Sequence, residues 1–133
     1  MKGKFVLASK AEKDKLDWGT IKWFCRPANT GSESLTVLEA TVEPGFGHDF
    51  HKHPGQEEVI YILEGEAEQY LGTEKRMLKK GDSVFIGPGV VHATFNISDK
   101  PFKSLAILGP CIGEDGYVVV DVAQEEPWAS LRS

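Results

Sequence analysis

Cysteine and positive charge are both scarce in this chain. The two cysteines, Cys25 and Cys111, stand far apart among 133 residues. We therefore expect free thiols in a reducing cytoplasm rather than a disulfide framework. The 15 lysines and arginines are outnumbered by 20 acidic residues, which gives a formal net charge of -5. That balance provides no basic surface for nucleic acid, which we do not expect as a partner.

Long apolar runs and helical periodicity are also missing. No stretch approaches the roughly 20 apolar residues that span a bilayer, so we expect no membrane anchor. The charged N-terminal stretch MKGKFVLASKAEKDK is not typical of a signal peptide. Two short helices are predicted near the termini. A capping box of Ser9 and Glu12 predicts one through Leu16, and residues 125–131 predict another turn or two.

Turn-forming residues recur along most of the chain, as at Pro44-Gly45 and Gly81-Asp82. The segments between turns have the alternating or β-branched pattern of strands, and they include LTVLEATV, VIYIL, SVFI, SLAIL and YVVVDV. Many short strands at this spacing are typical of a β-sandwich or a small barrel. The length fits one domain, residues 1–133.

Three of the four histidines, His48, His51 and His53, fall within six positions. On a strand, His51 and His53 point to the same side with Cα atoms roughly 6.6 Å apart, which lets two imidazoles share one ion. His48 lies three positions before His51, so strand geometry predicts that it is on the opposite face, where it either lines the entrance or, as we expect, is simply exposed. His92 follows a Gly-Pro-Gly turn and begins the next strand. For a single histidine, a solvated loop or a satisfied core position is the ordinary alternative.

The first of these stretches resembles the first motif of the cupin superfamily. Residues 45–65 have the motif's residues at its spacing: Gly45, His51, His53, Glu58 and Gly65. Strand phase alone leaves Glu57 and Glu58 as alternatives, because either choice turns apolar residues inward. The motif's six residues before its last glycine favour Glu58, which leaves Glu57 on the rim or in solvent.

Residues 81–96 are similar to the second cupin motif, through Gly81, Gly89, His92 and Asn96. Gly87 stands where the family usually has proline, with Pro88 one place late, so the geometry of this turn is in doubt. The resemblance implies an all-β fold, an antiparallel jelly-roll β-barrel with minor short helices at the termini. It also implies one interior metal ion, held by His51, His53, Glu58 and His92.

The implied ligands carry a charge of -1 and suit a divalent first-row ion rather than Ca or Mg. We favour Mn or Fe, with Ni, Cu or Zn possible. In an octahedral shell two positions remain for a chelating small-molecule substrate. We therefore predict a metal-dependent oxidoreductase or dioxygenase, or a decarboxylase, acting on a small oxygen-rich acid or enol. Two alternatives stay open, a non-catalytic module that binds a small molecule or metal, and a sugar isomerase or epimerase.

No general acid or base can be identified from the sequence. Several side chains could face the cavity but are more often part of the wall: Tyr61, Gln69, Thr94, Asn96 and Cys111.

Apolar and aromatic segments outside the motifs predict a homodimer. The stretch DWGTIKWF, residues 17–24, could be a strand that pairs with a second subunit. Val91, Ala93 and Phe95 face away from His92 and could extend that contact. Trp128 is expected to dock the last turn onto the barrel.

Overall fold

Strands make up most of the computed structural model, which describes residues 2–132. The strands are β1 Glu12–Leu16, β2 Gly19–Cys25, β3 Thr36–Val42, β4 Gly47–Lys52, β5 Glu57–Glu64, β6 Glu66–Leu71, β7 Glu74–Lys79, β8 Ser83–Ile86, β9 His92–Phe95, β10 Phe102–Gly109 and β11 Val120–Asp121. Two short helices accompany them, α1 Pro27–Thr30 and α2 Trp128–Leu131. No helix in residues 2–132 has the length and apolar character that crossing a membrane requires.

The strands form two antiparallel sheets. The first has the order β1-β2-β3-β10-β5-β8, and the second has the order β11-β4-β9-β6-β7. The predicted all-β fold is confirmed. Alternation fixes which side chains turn inward, as on β10, where every second residue from Phe102 to Leu108 is buried. The resulting core lies between the sheets and includes the fully buried Ile62.

The predicted N-terminal helix is wrong. Residues 12–16 form β1, which pairs in antiparallel register with β2 from Glu12 opposite Trp23 to Leu16 opposite Gly19. The indole nitrogen of Trp23 donates to Asp14 at 2.9 Å, and Arg26 forms an ion pair with Glu12. These contacts with β2 outweigh the local capping signal, because a single helical turn is costly to nucleate.

Helix α2 confirms the turn predicted for residues 125–131. Trp128 packs on a core cluster that includes Phe50, Val91, Ala93 and Phe95, so its predicted docking is also confirmed.

The same packing overturns the predicted site of subunit contact. Val91, Ala93 and Phe95 are buried, and the C-terminal segment of their own chain covers them. The guanidinium of Arg132 lies 3.5 Å from the centre of the Phe95 ring. Strand β2 has no free edge either, because β1 and β3 flank it. The homodimer itself stays a prediction.

Candidate metal centre

Three histidines meet inside the fold. His51 on β4 pairs with His92 on β9, and His53 follows β4 at the Pro54-Gly55 turn. All three are buried, and their candidate ligand atoms lie within 4.8 Å of one another. A metal ion with bonds of about 2.1 Å can bridge nitrogens at that separation after small side-chain shifts. We call these three residues the histidine cluster.

Backbone carbonyls fix the orientation of each ring in the cluster. The Nδ1 atoms of His51, His53 and His92 lie 2.6, 2.7 and 3.0 Å from the carbonyl oxygens of Asp49, Val118 and Val90. Because a carbonyl oxygen only accepts, each Nδ1 carries the proton and donates it. In a neutral ring Nε2 then has a free lone pair, which is the arrangement typical of histidines that bind metals.

Glu58 adjoins two members of the cluster. Its Oε1 atom lies 3.0 Å from Nε2 of His92 and 3.3 Å from Nε2 of His53. Glu58 is 6% exposed and turned inward on β5, whereas Glu57 is exposed. The choice of Glu58 over Glu57 as the inward carboxylate is therefore confirmed. Its role as a metal ligand stays a prediction.

The donor set fits a cation. The Glu58 Oε1 and His92 Nε2 atoms are both buried, and neither has a hydrogen-bond partner in the described part of the chain. A carboxylate and a neutral imidazole nitrogen are both acceptors, so their approach at 3.0 Å is unfavourable unless a proton or a metal ion lies between them. Nitrogen and carboxylate ligands together suit first-row divalent ions.

Charge coupling within the site shifts several pKa values. Burial raises the pKa of Glu58, but the His53 and His92 imidazoles outweigh it and lower the pKa to about 2. Burial lowers the pKa of His53, but the Glu58 carboxylate outweighs it and raises that pKa above its usual value. Burial, followed by His48 and His92, holds the pKa of His51 far below its usual value.

His48 is not where strand alternation predicts. Its ring stacks on the His51 ring at 3.6 Å between centroids and lines the same cavity. The cause is a β-bulge. His48 pairs with Thr94 and His51 with His92, so three steps along β4 match two along β9. The extra residue turns His48 inward, and burial there lowers its pKa to about 4.

The cluster forms part of the wall of a largely apolar cavity of about 80 Å³. A single water needs about 10–15 Å³, so the cavity has room for a small molecule. Its apolar lining comes mainly from the first sheet: Trp18, Ile21, Leu38, Ala40, Val42, Ile60, Phe102, Ala106 and Leu108. Its polar lining outside the cluster consists of His48, Glu58, Thr94, Ser104 and Tyr117.

Of the five side chains considered for the cavity, Thr94 lines it. The Thr94 hydroxyl donates to Gln69, which is buried behind it. Tyr61 is 41% exposed, and Asn96 is buried and donates to the carbonyls of Val42 and Lys100. Cys111 contacts the Thr36 hydroxyl.

Cys25 and Cys111 are both free thiols, as predicted.

Two further residues near the centre, Tyr117 and Gln56, were not predicted as site residues from the sequence. Tyr117 lines the cavity, and its ring lies 5.7 Å from the Trp23 ring and 6.0 Å from the His53 ring, centre to centre. Burial, followed by the Asp115 charge, raises the pKa of Tyr117. Gln56 is buried beneath the loop that carries Tyr117. Its place between His53 and Glu58 was the available signal.

Comparison with known families agrees with this arrangement. A model described as the Cupin domain matches residues 38–108, more than half of the chain. An uncharacterized protein of Methanocaldococcus jannaschii is 35% identical over 107 residues, which cover 76% of this chain and 86% of that protein. This chain therefore belongs to the cupin family.

More distant relatives include enzymes. The dimethylsulfoniopropionate lyase DddQ of Ruegeria pomeroyi is 40% identical over 77 residues, 57% of this chain but 37% of the lyase. The structure of KdgF from Halomonas sp. aligns with a TM-score of 0.75 at 17% identity, over 84% of this chain and 97% of that one. Oxalate decarboxylase OxdC of Bacillus subtilis aligns with a TM-score of 0.70 at 23% identity, over 85% of this chain and 30% of that one. At these identities the two structures show a shared fold.

Proposed function

We propose that this cupin is a metal-dependent enzyme acting on a small, singly charged acid or enol with two chelating oxygens. We favour an oxidoreductase, including a dioxygenase, or a decarboxylase, with Mn or Fe bound and with Ni, Cu or Zn as alternatives. The observation that carries this proposal is the convergence of three imidazoles and the Glu58 carboxylate in the wall of a largely apolar cavity. A divalent ion there would supply Lewis-acid polarisation of a chelated oxygen or, for Mn or Fe, redox chemistry.

The charge of the site favours a substrate with one negative charge. Three neutral imidazoles and the Glu58 carboxylate reduce a divalent charge of +2 to +1, which a monoanion neutralises. Among the described residues that line the cavity, none is a lysine or an arginine. A second carboxylate on the substrate would therefore be buried without a partner, at a cost of several kcal/mol.

The residues of the chain would have three tasks in this reaction. The carbonyls of Asp49, Val118 and Val90 hold the three imidazoles in one orientation, so little reorganisation is needed on binding. The apolar wall receives the body of the substrate and excludes water. The Thr94 and Ser104 side chains offer polar contacts within that wall.

A matched pair of 2-oxo acids tests the proposal. Protein purified without added metal is analysed for its metal content, then loaded with Mn or Fe and given 2-oxobutyrate or oxaloacetate. Oxaloacetate has a carboxylate in place of the terminal methyl group, so the pair differs in charge at equal chelation. We expect 2-oxobutyrate to bind at least about 10-fold more tightly, because the second carboxylate would be buried without a partner. Tighter binding of oxaloacetate would contradict the charge argument.

Turnover is followed as O2 consumption and CO2 release, with catechol and a flavonol added as enols and metal in buffer as the control. No change in either gas with any metal would contradict the enzyme and favour a non-catalytic binding module. A sugar isomerase or epimerase would be active without metal or with Zn alone. Loss of activity on chelation and recovery with Mn or Fe would count against it.

A lyase is the second candidate, because the relative with 40% identity over 77 residues is the lyase named above. Polarisation of a chelated carboxylate also suits an elimination reaction. Dimethylsulfoniopropionate therefore belongs in the assay panel. Its consumption by the metal-loaded protein, without O2 uptake or CO2 release, would select the lyase.

A further inference from the structure

The loop of residues 110–118 lies beside the histidine cluster, and the first motif holds it there. The Nδ1 atom of His53 donates to the carbonyl of Val118 at 2.7 Å. The hydroxyl of Thr36 donates to the carbonyl of Gly116, also at 2.7 Å. The residue between these two anchored positions is Tyr117, which lines the cavity. Its backbone is therefore fixed on both sides.

Gln56 supplies three more hydrogen bonds to this loop. Its side chain is 1% exposed. Its Nε2 atom donates to the carbonyls of Pro110 at 2.8 Å and Gly116 at 3.0 Å, and its Oε1 atom accepts from the backbone nitrogen of Val118 at 3.0 Å. Both ends of the amide are thus used by one loop. Because Gln56 lies between His53 and Glu58 in sequence, the motif that forms the cluster also sets the position of Tyr117.

The Tyr117 ring is packed while its hydroxyl has no partner in the protein. The ring lies between those of Trp23 and His53 and is half-buried. Within residues 2–132 the hydroxyl makes no hydrogen bond to another side chain or to the backbone. The hydroxyl is not among the fully buried polar atoms that lack a partner, so it is open to water or to a molecule bound in the cavity. Burial raises its pKa, so it remains a donor at neutral pH.

We propose that Tyr117 is a ligand-binding residue, whose hydroxyl donates a hydrogen bond to the molecule bound at the histidine cluster, and that Gln56 is the residue that positions it. Tyr117 would thereby add a directed polar contact to an otherwise largely apolar cavity. Gln56 acts through the backbone on both sides of Tyr117 and does not itself line the cavity.

The inference rests on the proposed function only in requiring an ion that binds an added molecule, so the probe is a chelator rather than a substrate. Protein loaded with Co²⁺ is titrated with acetohydroxamate, an anion with two chelating oxygens, and binding is followed by visible absorption of the Co²⁺. Tyr117→Phe is expected to weaken binding about 10-fold, because one hydrogen bond to a charged ligand is lost. Its Co²⁺ content should match that of the wild type.

Tyr61→Phe is the matched control. Tyr61 is 41% exposed on β5 and does not line the cavity, so losing its hydroxyl should leave acetohydroxamate affinity unchanged. Equal affinity of Tyr117→Phe and the wild type would overturn the inference and leave the proposed function intact.

A double-mutant cycle tests the positioning role of Gln56. Gln56→Met keeps the length of the side chain and removes its three hydrogen bonds. It should weaken acetohydroxamate binding in the wild-type background and have no effect in the Tyr117→Phe background. Equal weakening in both backgrounds would overturn the positioning role, because a general loss of structure acts without Tyr117. Co²⁺ content and the thermal unfolding midpoint are measured for every variant.

Two further outcomes separate this inference from the proposed function. Acetohydroxamate binding that depends on Tyr117, without turnover of any acid or enol, supports the inference and counts against the enzyme. No binding by the Co²⁺-loaded wild type overturns both, because the centre then offers no open coordination positions.

Discussion

Replacing Glu58 with glutamine is expected to weaken binding of a divalent ion about 100-fold. The substitution keeps the shape of a buried side chain and removes one negative charge. Its oxygen lies 3.0 and 3.3 Å from the Nε2 atoms of His92 and His53. A cation bound to these nitrogens would lie at a similar or shorter distance from the carboxylate, and one unit of its charge at about 3 Å attracts the carboxylate by about 5 kcal/mol at an effective dielectric constant of 20. Desolvation of the carboxylate offsets roughly half of this. The remaining ~2.5 kcal/mol corresponds to slightly less than 100-fold in affinity.

Competition with a chromogenic chelator measures this affinity for Mn²⁺ or Zn²⁺. Glu57→Gln is the matched control. It removes the same charge at the neighbouring position, where the side chain is exposed. We expect the control to bind within about twofold of the wild type, because exposed charges interact weakly. In the metal-free protein, Glu58→Gln should also lower the pKa of His53, measured by NMR titration, because burial is then opposed only by the hydrogen bond to the Val118 carbonyl. Equal metal affinity of the two variants would refute the reasoning.

Three further predictions concern stability and assembly. Between pH 6.5 and about 4 the unfolded chain protonates His48 and the folded metal-free protein does not, so stability should fall as the pH falls. Urea unfolding should show a shallower fall in that window for His48→Asn, and an unchanged slope would contradict the assignment. Ile62→Ala, at a fully buried position, should cost about 3 kcal/mol by the same method, and a loss below about 1 kcal/mol would contradict its core position. Light scattering should give twice the chain mass of 14.7 kDa for the homodimer, and a value of 14.7 kDa would exclude it.

The cluster could be predicted from sequence because its geometry is largely local. His51 and His53 are two positions apart, so simple alternation places them on one face. Glu58 and His92 followed from the spacing of the two motifs. The structure brings these four residues together.

The position of His48 depends on a β-bulge that cannot be predicted from the residues of β4 alone. Without the bulge, three steps along β4 would have turned His48 away from His51. The register between β4 and β9 determines which way His48 points. Register depends on both strands, so the sequence of one strand does not specify it. A fourth histidine therefore enters the cavity.

The loop around Tyr117 could not be predicted from the sequence, for a different reason. The segment YVVVDV has the composition of a strand, but β11 contains only Val120 and Asp121. The backbone nitrogen of Val118 donates to the Gln56 side chain, and its carbonyl accepts from the His53 ring. These side-chain hydrogen bonds replace the backbone pairing that a neighbouring strand would have provided. Such long-range side-chain bonds leave no periodic pattern in the sequence.

For β1, likewise, contacts with β2 override a local helix signal.

Anomalous diffraction tests the central claim most directly. Crystals of protein purified without added metal would be measured on both sides of the absorption edges of the first-row metals. We predict a single strong peak within bonding distance, about 2.1 Å, of the ring nitrogens of His51, His53 and His92, beside the Glu58 carboxylate, at the Mn or Fe edge. Absence of any peak among these four side chains, both before and after soaking with Mn²⁺ or Fe²⁺, would contradict the account.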